Sequence, residues 1–198
     1  VPGYTVTVTD ANGCSQTATV TITQPVYSCG NLNEYTDAEI GGWGAPPSGN
    51  NITNKWLYPY FATAFPNGIT IGGYGRTLQF NCAQSITNFL PAAATASQLP
   101  AANYINPVGS TNPTFATIPC GVNGPMYKNT LASKTLALTL NVGFDAAIPT
   151  FSPNFTVTYG DLIYTAAPFA GWKVKDILAE ANRLLGQGLI NGQTSTYY

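Results

Sequence analysis

The residues able to do acid–base or metal chemistry are few. There is no histidine, which removes Ser-His-Asp and Cys-His nucleophiles and every zinc site built on imidazole. Carboxylates gather only at Glu34, Asp37 and Glu39, just before Gly41. A glycosidase needs two positioned carboxyl groups, but with eight acids in all and no partner pattern, this cluster reads as a solvated loop. A calcium loop alternates Asp and Asn ligands and ends on a distal Glu, a pattern not found here. The chain therefore reads as non-enzymatic, with no cofactor and no metal site.

Other groups suggest covalent or contact roles. The four cysteines allow three pairings, which an exported chain would oxidise. Cys14–Cys29 has a reach problem. Nine strand residues back from Thr23 span roughly 30 Å, and the six forward to Cys29 reach at most ~21 Å. Cys82–Cys120 is favoured, clipping a proline-rich stretch and leaving Cys14 and Cys29 for another arrangement. Asn51-Ile52-Thr53 and Asn154-Phe155-Thr156 are glycan acceptor sequons. The run from Trp56 to Phe61 offers Trp56, Tyr58 and Tyr60 as a sugar-stacking platform, against core and loop packing as the blander use.

The elements that would carry these groups begin with a hairpin. Tyr4, Val6 and Val8 alternate with threonines, as do Ala18, Val20 and Ile22, the period of a half-buried strand. Asp10-Ala11-Asn12-Gly13 lies between them, with Asn12 and Gly13 suited to positive φ, and Pro25 ends the second strand. An isolated hairpin is marginal in water, so the apolar face of Tyr4, Val6, Val8, Ala18, Val20 and Ile22 is expected to cover another surface. Segment 26–42 reads as a linker, reaching ~55 Å when extended, and 43–198 as the main domain.

Within that domain, Ile69–Ile71 and Thr77–Phe80 read as strands around Gly72-Gly73-Tyr74-Gly75. Ser85 is placed to cap a short helix that Pro91 stops, and Phe155–Tyr159 reads as another strand. Leu131–Phe144 fits either a strand or a helix. Trp172–Leu185 is an amphipathic helix with Val174, Ile177, Leu178, Ala181, Leu184 and Leu185 on one stripe, stopped by Gly186. The fold class is α+β: an N-terminal β-hairpin, then a mixed domain of short strands and helices.

Composition narrows the partners. Only 8% of the 198 residues are charged and the net charge is -1, against about 25% charged in ordinary soluble domains. From Thr77 to Tyr127 there is no charge at all. No basic stripe exists for nucleic acid, and no apolar run is long enough for a membrane span. Val1 opens directly on the strand pattern, without a signal peptide, as in an already processed extracellular or cell-surface protein.

The run Tyr4-Thr5-Val6-Thr7-Val8-Thr9-Asp10-Ala11-Asn12-Gly13-Cys14, followed by Ala18-Thr19-Val20-Thr21-Ile22, resembles the end of an SprB-type repeat. These are immunoglobulin-like modules of large surface adhesins in gliding and related Bacteroidota-type bacteria. The match covers only the last two strands of such a module. Residues 36–186 resemble a second domain of secreted surface proteins of that kind, through Gly41-Gly42-Trp43-Gly44, Pro47-Ser48-Gly49-Asn50-Asn51, Phe65–Gly72, Asn88-Phe89-Leu90-Pro91 and Phe169-Ala170-Gly171-Trp172. That resemblance implies a helix over 131–142 and brings no catalytic residue.

Together these readings point to a structural subunit of an extracellular fibre or surface layer. Its partner would be itself, through hairpin exchange, because near-zero charge favours association and head-to-tail exchange propagates. The alternative is a carbohydrate-binding module within a longer adhesin.

Overall fold

Alternating β-branched residues form the hairpin where the pattern places it. The computed structural model describes residues 3–21, 35–153 and 155–189. Strands β1 (Gly3–Thr9) and β2 (Ser15–Thr21) pair antiparallel, with Tyr4 opposite Val20, Val6 opposite Ala18 and Val8 opposite Gln16. Opposed residues share a face, so Val8 lies on one side with Gln16, and Thr7 lies on the other with Thr17. Across the threonine side, Thr9 Oγ1 bonds Ser15 Oγ at 2.8 Å. Ile22 and Pro25 lie outside the described residues, as does Cys29.

The turn works differently from expectation. Asp10 organises it, its Oδ1 accepting the N–H groups of Asn12 at 2.9 Å and Cys14 at 2.8 Å. Only Gly13 takes a positive φ, +83°. Asn12 does not need one, because a three-residue loop uses a single left-handed position before the strand resumes.

The chain divides into two compact units, Val1–Leu32 and Asn33–Tyr198. The second contains helices α1 (Ile40–Gly44), α2 (Tyr58–Ala64), α3 (Ala83–Phe89), α4 (Thr130–Ala147) and α5 (Val174–Gln187). Strands β3 (Ile69–Gly73), β4 (Arg76–Phe80) and β5 (Asn103–Ile105) form a sheet in that order, antiparallel then parallel. The fold is α+β with an N-terminal hairpin. Among the described residues, no helix is long and apolar enough to cross a membrane.

A core of aromatic rings joins these elements. Trp43, Phe144 and Phe151 stack nearly parallel, with Trp43–Phe144 centroids 5.4 Å and Phe144–Phe151 centroids 5.6 Å apart, and all three are fully buried. With so little charge, asparagine carboxamides satisfy the buried backbone. Asn129 caps α4 by accepting from Ala132 N at 3.2 Å, and its Nδ2 donates to Ser97 O at 2.8 Å. Asn88 accepts from Phe115 N at 2.8 Å and donates to the Asn123 side chain at 2.8 Å. Buried polar groups cost stability unless bonded, and these are bonded.

Several expectations are corrected. Residues 35–42, read as the end of a linker, belong to the second unit: Tyr35 is buried, and Ala38 N–H binds Asn141 Oδ1 at 3.1 Å. Phe155–Tyr159 is not a strand, because its groups bond elsewhere. Tyr35 stacks on Phe155 at 3.7 Å and its hydroxyl donates to Val157 O at 2.7 Å, while Tyr159 N–H donates to Asp145. Ser85 sits three residues beyond the cap position, which Cys82 occupies, and closes a capping box with it. The last helix starts at Val174 and runs past Gly186 to Gln187; Gly188, with φ +75°, ends it. Gly186 has a different role, since a Cβ there would lie 2.7 Å from Gly73 O. It allows α5 to press on β3.

Candidate functional site

A cleft forms where residues 37–39 meet α4. The cleft has a volume of about 240 Å³ and is lined by Asp37, Glu39, Lys134, Leu138, Asn141 and Tyr159, among others. Helical spacing puts Lys134, Leu138 and Asn141 on one face of α4. Asn141 holds the back wall, its Oδ1 accepting Ala38 N–H and, at 2.9 Å, the Trp43 indole N–H. Lys134 pairs with Glu39.

Tyr159 faces this acidic rim. Its phenol pKa is pushed up to about 12, first by burial and then by Asp37, which accepts a hydrogen bond from it, with Glu39 and Asp145 adding. At neutral pH the phenol is a hydrogen-bond donor, not a base. No group of three His, Cys, Asp or Glu able to hold a metal ion occurs among the described residues. The cleft can bind polar groups, but its lining assembles no nucleophile with a base. Lys134 and Asn141, on one face of α4, meet Asp37 and Tyr159 from distant segments, and no local sequence signal marks the set.

The expected sugar platform is not on the surface as drawn. Residues 53–57 form a π-helical turn running into α2, so the aromatic run is wound around an axis instead of lying flat. Trp56 is only 7% exposed and packs edge-on against Phe151 at 5.2 Å. Tyr58 points elsewhere, bonding Thr87 Oγ1 at 3.0 Å, and burial raises its phenol pKa against the lowering effect of that bond. Tyr60 is partly exposed.

Asn51 is likewise committed to structure. Its Nδ2 donates to Pro46 O at 2.7 Å, while its Oδ1 accepts from Asn54 N at 2.9 Å and from Thr53 Oγ1 at 2.8 Å. The carboxamide caps the helical stretch that follows, and Thr53 is fully buried, so the folded chain does not present this sequon. Asn154 lies outside the described residues. Cys82 and Cys120 form a disulfide, with Cα atoms 5.7 Å apart. Cys14 is a free, exposed thiol.

Of the hairpin's candidate contact face, Val8 and Ala18 have described side chains. Every side chain described between Thr5 and Thr19 is exposed, and Val8 is 66% exposed. A second exposed apolar group was not singled out from sequence. Ile105, Val122 and Met126 are each at least half exposed. Gly124, between the latter two, donates to Asn106 O at 2.7 Å, and a Cβ there would lie 2.1 Å from Ile105 O. The three residues therefore share one rim beside β5. Their sequence signal was the uncharged stretch itself.

No family model, curated protein or solved structure matches the chain.

Proposed function

We propose that the chain is a non-enzymatic subunit of an extracellular or cell-surface assembly, joined to the next copy through its N-terminal hairpin. The observation that carries this reading is the exposed apolar side of β1–β2 at Val8 and Ala18, on an element too small to be stable without a cover. Low charge supports it, because nothing on either strand repels a neutral neighbour.

The sheet edges shape how copies meet. On the β3 edge, Asn182 Oδ1 takes the outward N–H of Gly72 at 2.8 Å, and Gly186 of α5 presses on Gly73. β5 has three residues, and Pro125 O and Tyr127 N bond Val108 just beyond it. On the β3–β4–β5 sheet a seven-residue strand finds no open edge of its own length, so the hairpin docks on this unit by its face and not by strand addition. The accepting surface is the rim of Ile105, Val122 and Met126 on the next copy. Because donor and acceptor surfaces differ, the contact is head-to-tail and propagates.

A second reading is a module of a longer adhesin, with the hairpin closing an SprB-like repeat. The covered sheet edges favour it. The test is electron microscopy of the purified chain beside Val8→Asp/Ala18→Asp. Both positions are exposed in the single chain, so the charges leave folding intact but bury unpaired carboxylates in any contact. Fibres from the unmodified chain and dispersed particles from the variant support assembly. Identical dispersed particles from both favour the adhesin module.

A further inference from the structure

We propose that the ribbon formed by residues 162–174 is a binding platform for neutral saccharides, built on Tyr164 and Trp172. Ile163 bridges Lys173 in antiparallel fashion. One residue on, Tyr164 N donates to Trp172 O at 2.8 Å, and Gly171 N donates back to Tyr164 O at 2.7 Å. Tyr164 and Trp172 are therefore opposed and project from the same side of the ribbon, with Cβ atoms about 5 Å apart. Phe169 meets the Trp172 ring edge-on at 5.5 Å, fixing its orientation from the flank.

The rings are held but uncovered. Tyr164 is 44% and Trp172 42% exposed. Of the residues between them, Thr165, Ala166, Ala167, Pro168, Ala170 and Gly171 are short, and Phe169 is the one large side chain, meeting Trp172 in the edge-to-face contact. The base of the ribbon is rigid, because Val174 N bonds Leu162 O at 2.9 Å and the Asp161 carboxylate accepts from Lys173 at 3.0 Å and Lys175 at 2.7 Å. Those two lysines are balanced by Asp161 and Asp176, so the surroundings select no charge.

Size and chemistry decide the occupant. Fully covered aromatic side chains bury about 150–250 Å² each, and with more than half of each already packed, these two rings offer roughly 130–215 Å². A stable protein interface needs about 800 Å² per partner, so this surface is too small for a second copy. It matches one or two pyranose rings. The axial C–H bonds of such a ring make one face apolar enough to lie on an aromatic ring, while its hydroxyls stay in water or reach Thr165 and the lysine ammonium groups. This platform does not depend on the hairpin and would serve either a fibre subunit or an adhesin module.

The test is titration of the full chain with cellohexaose, chitohexaose and mannohexaose, following the Trp172 indole N–H by NMR. The Trp43 indole, bonded to Asn141, serves as the internal reference. Saturable movement of the Trp172 signal with at least one hexasaccharide is expected in the parent, and calorimetric titration, which does not need that indole, should give about tenfold weaker binding in Trp172→Ala and in Tyr164→Ala and retention in Trp172→Phe. Val8→Asp/Ala18→Asp should bind as the parent does, which separates this site from the assembly contact. The proposal is overturned if no hexasaccharide moves the signal, if the alanine variants bind as well as the parent, or if Trp172→Ala instead lowers the sedimentation coefficient, which would make the patch a contact between copies.

Discussion

The carboxamide oxygen of Asn141 accepts the indole N–H of Trp43 at 2.9 Å, across 98 residues of sequence and out of contact with water. The same oxygen takes the N–H of Ala38, so one side chain of α4 fixes both the entry into α1 and the orientation of the central ring stack. It also forms the back wall of the Asp37–Tyr159 cleft.

Asn141→Leu keeps the branched shape and removes the acceptor, leaving two donors unsatisfied. Each orphaned buried donor costs about 1–3 kcal/mol, so the variant should lose about 2–6 kcal/mol. For a unit of this size that lowers the melting temperature by roughly 4–24 °C. Calorimetry of the variant against the parent checks it, and an unchanged melting temperature would mean that the Trp43 bond carries no stability.

Tyr159 gives a pH dependence with a definite sign. Its phenol ionises near 12 in the folded chain against an ordinary value of 10. The folded form holds the proton more tightly than the unfolded form. Its contribution is therefore fully present below pH 10 and is lost as pH rises through about 12. Denaturant midpoints measured from pH 8 to 12 should fall less steeply in Tyr159→Phe than in the parent. Parallel curves would contradict the burial and the Asp37 contact.

Cys82–Cys120 closes a loop with a sequence separation of 38. Closing a loop of that length in the unfolded chain corresponds to about 4 kcal/mol. Cys82→Ser/Cys120→Ser should be less stable by that order in denaturant titration, and the parent measured with reductant should match it.

What could be read from sequence depended on how many faces of an element are buried. The hairpin sequence alternates apolar residues with threonines, and that period of two marked both strands. α4 is covered on most sides, with Leu131, Thr135, Leu136 and Leu140 all buried, so its pattern carries little amphipathic contrast and fits either period. Phe155–Tyr159 has strand-like residues, yet its partners are the side chains of Tyr35 and Asp145, which no local window contains. The Trp56–Phe61 run looked like a platform because its aromatic content is visible and its winding is not. The exposed rings at Tyr164 and Trp172 had a signal in the small residues between them, but only the pairing of the ribbon places them side by side.

The assembly claim is tested most directly by crosslinking across the proposed contact. Two chains are made in a Cys14→Ser/Cys29→Ser background, one carrying Ala18→Cys and the other Met126→Cys, and each is oxidised alone and then mixed with the other. Docking of the hairpin face on the β5 rim predicts a disulfide-linked dimer in the mixture well above either chain alone, and its loss when Val8→Asp is added. Equal, background-level dimer in all three samples, or a dimer formed chiefly by Ala18→Cys with itself, would contradict head-to-tail assembly through this hairpin.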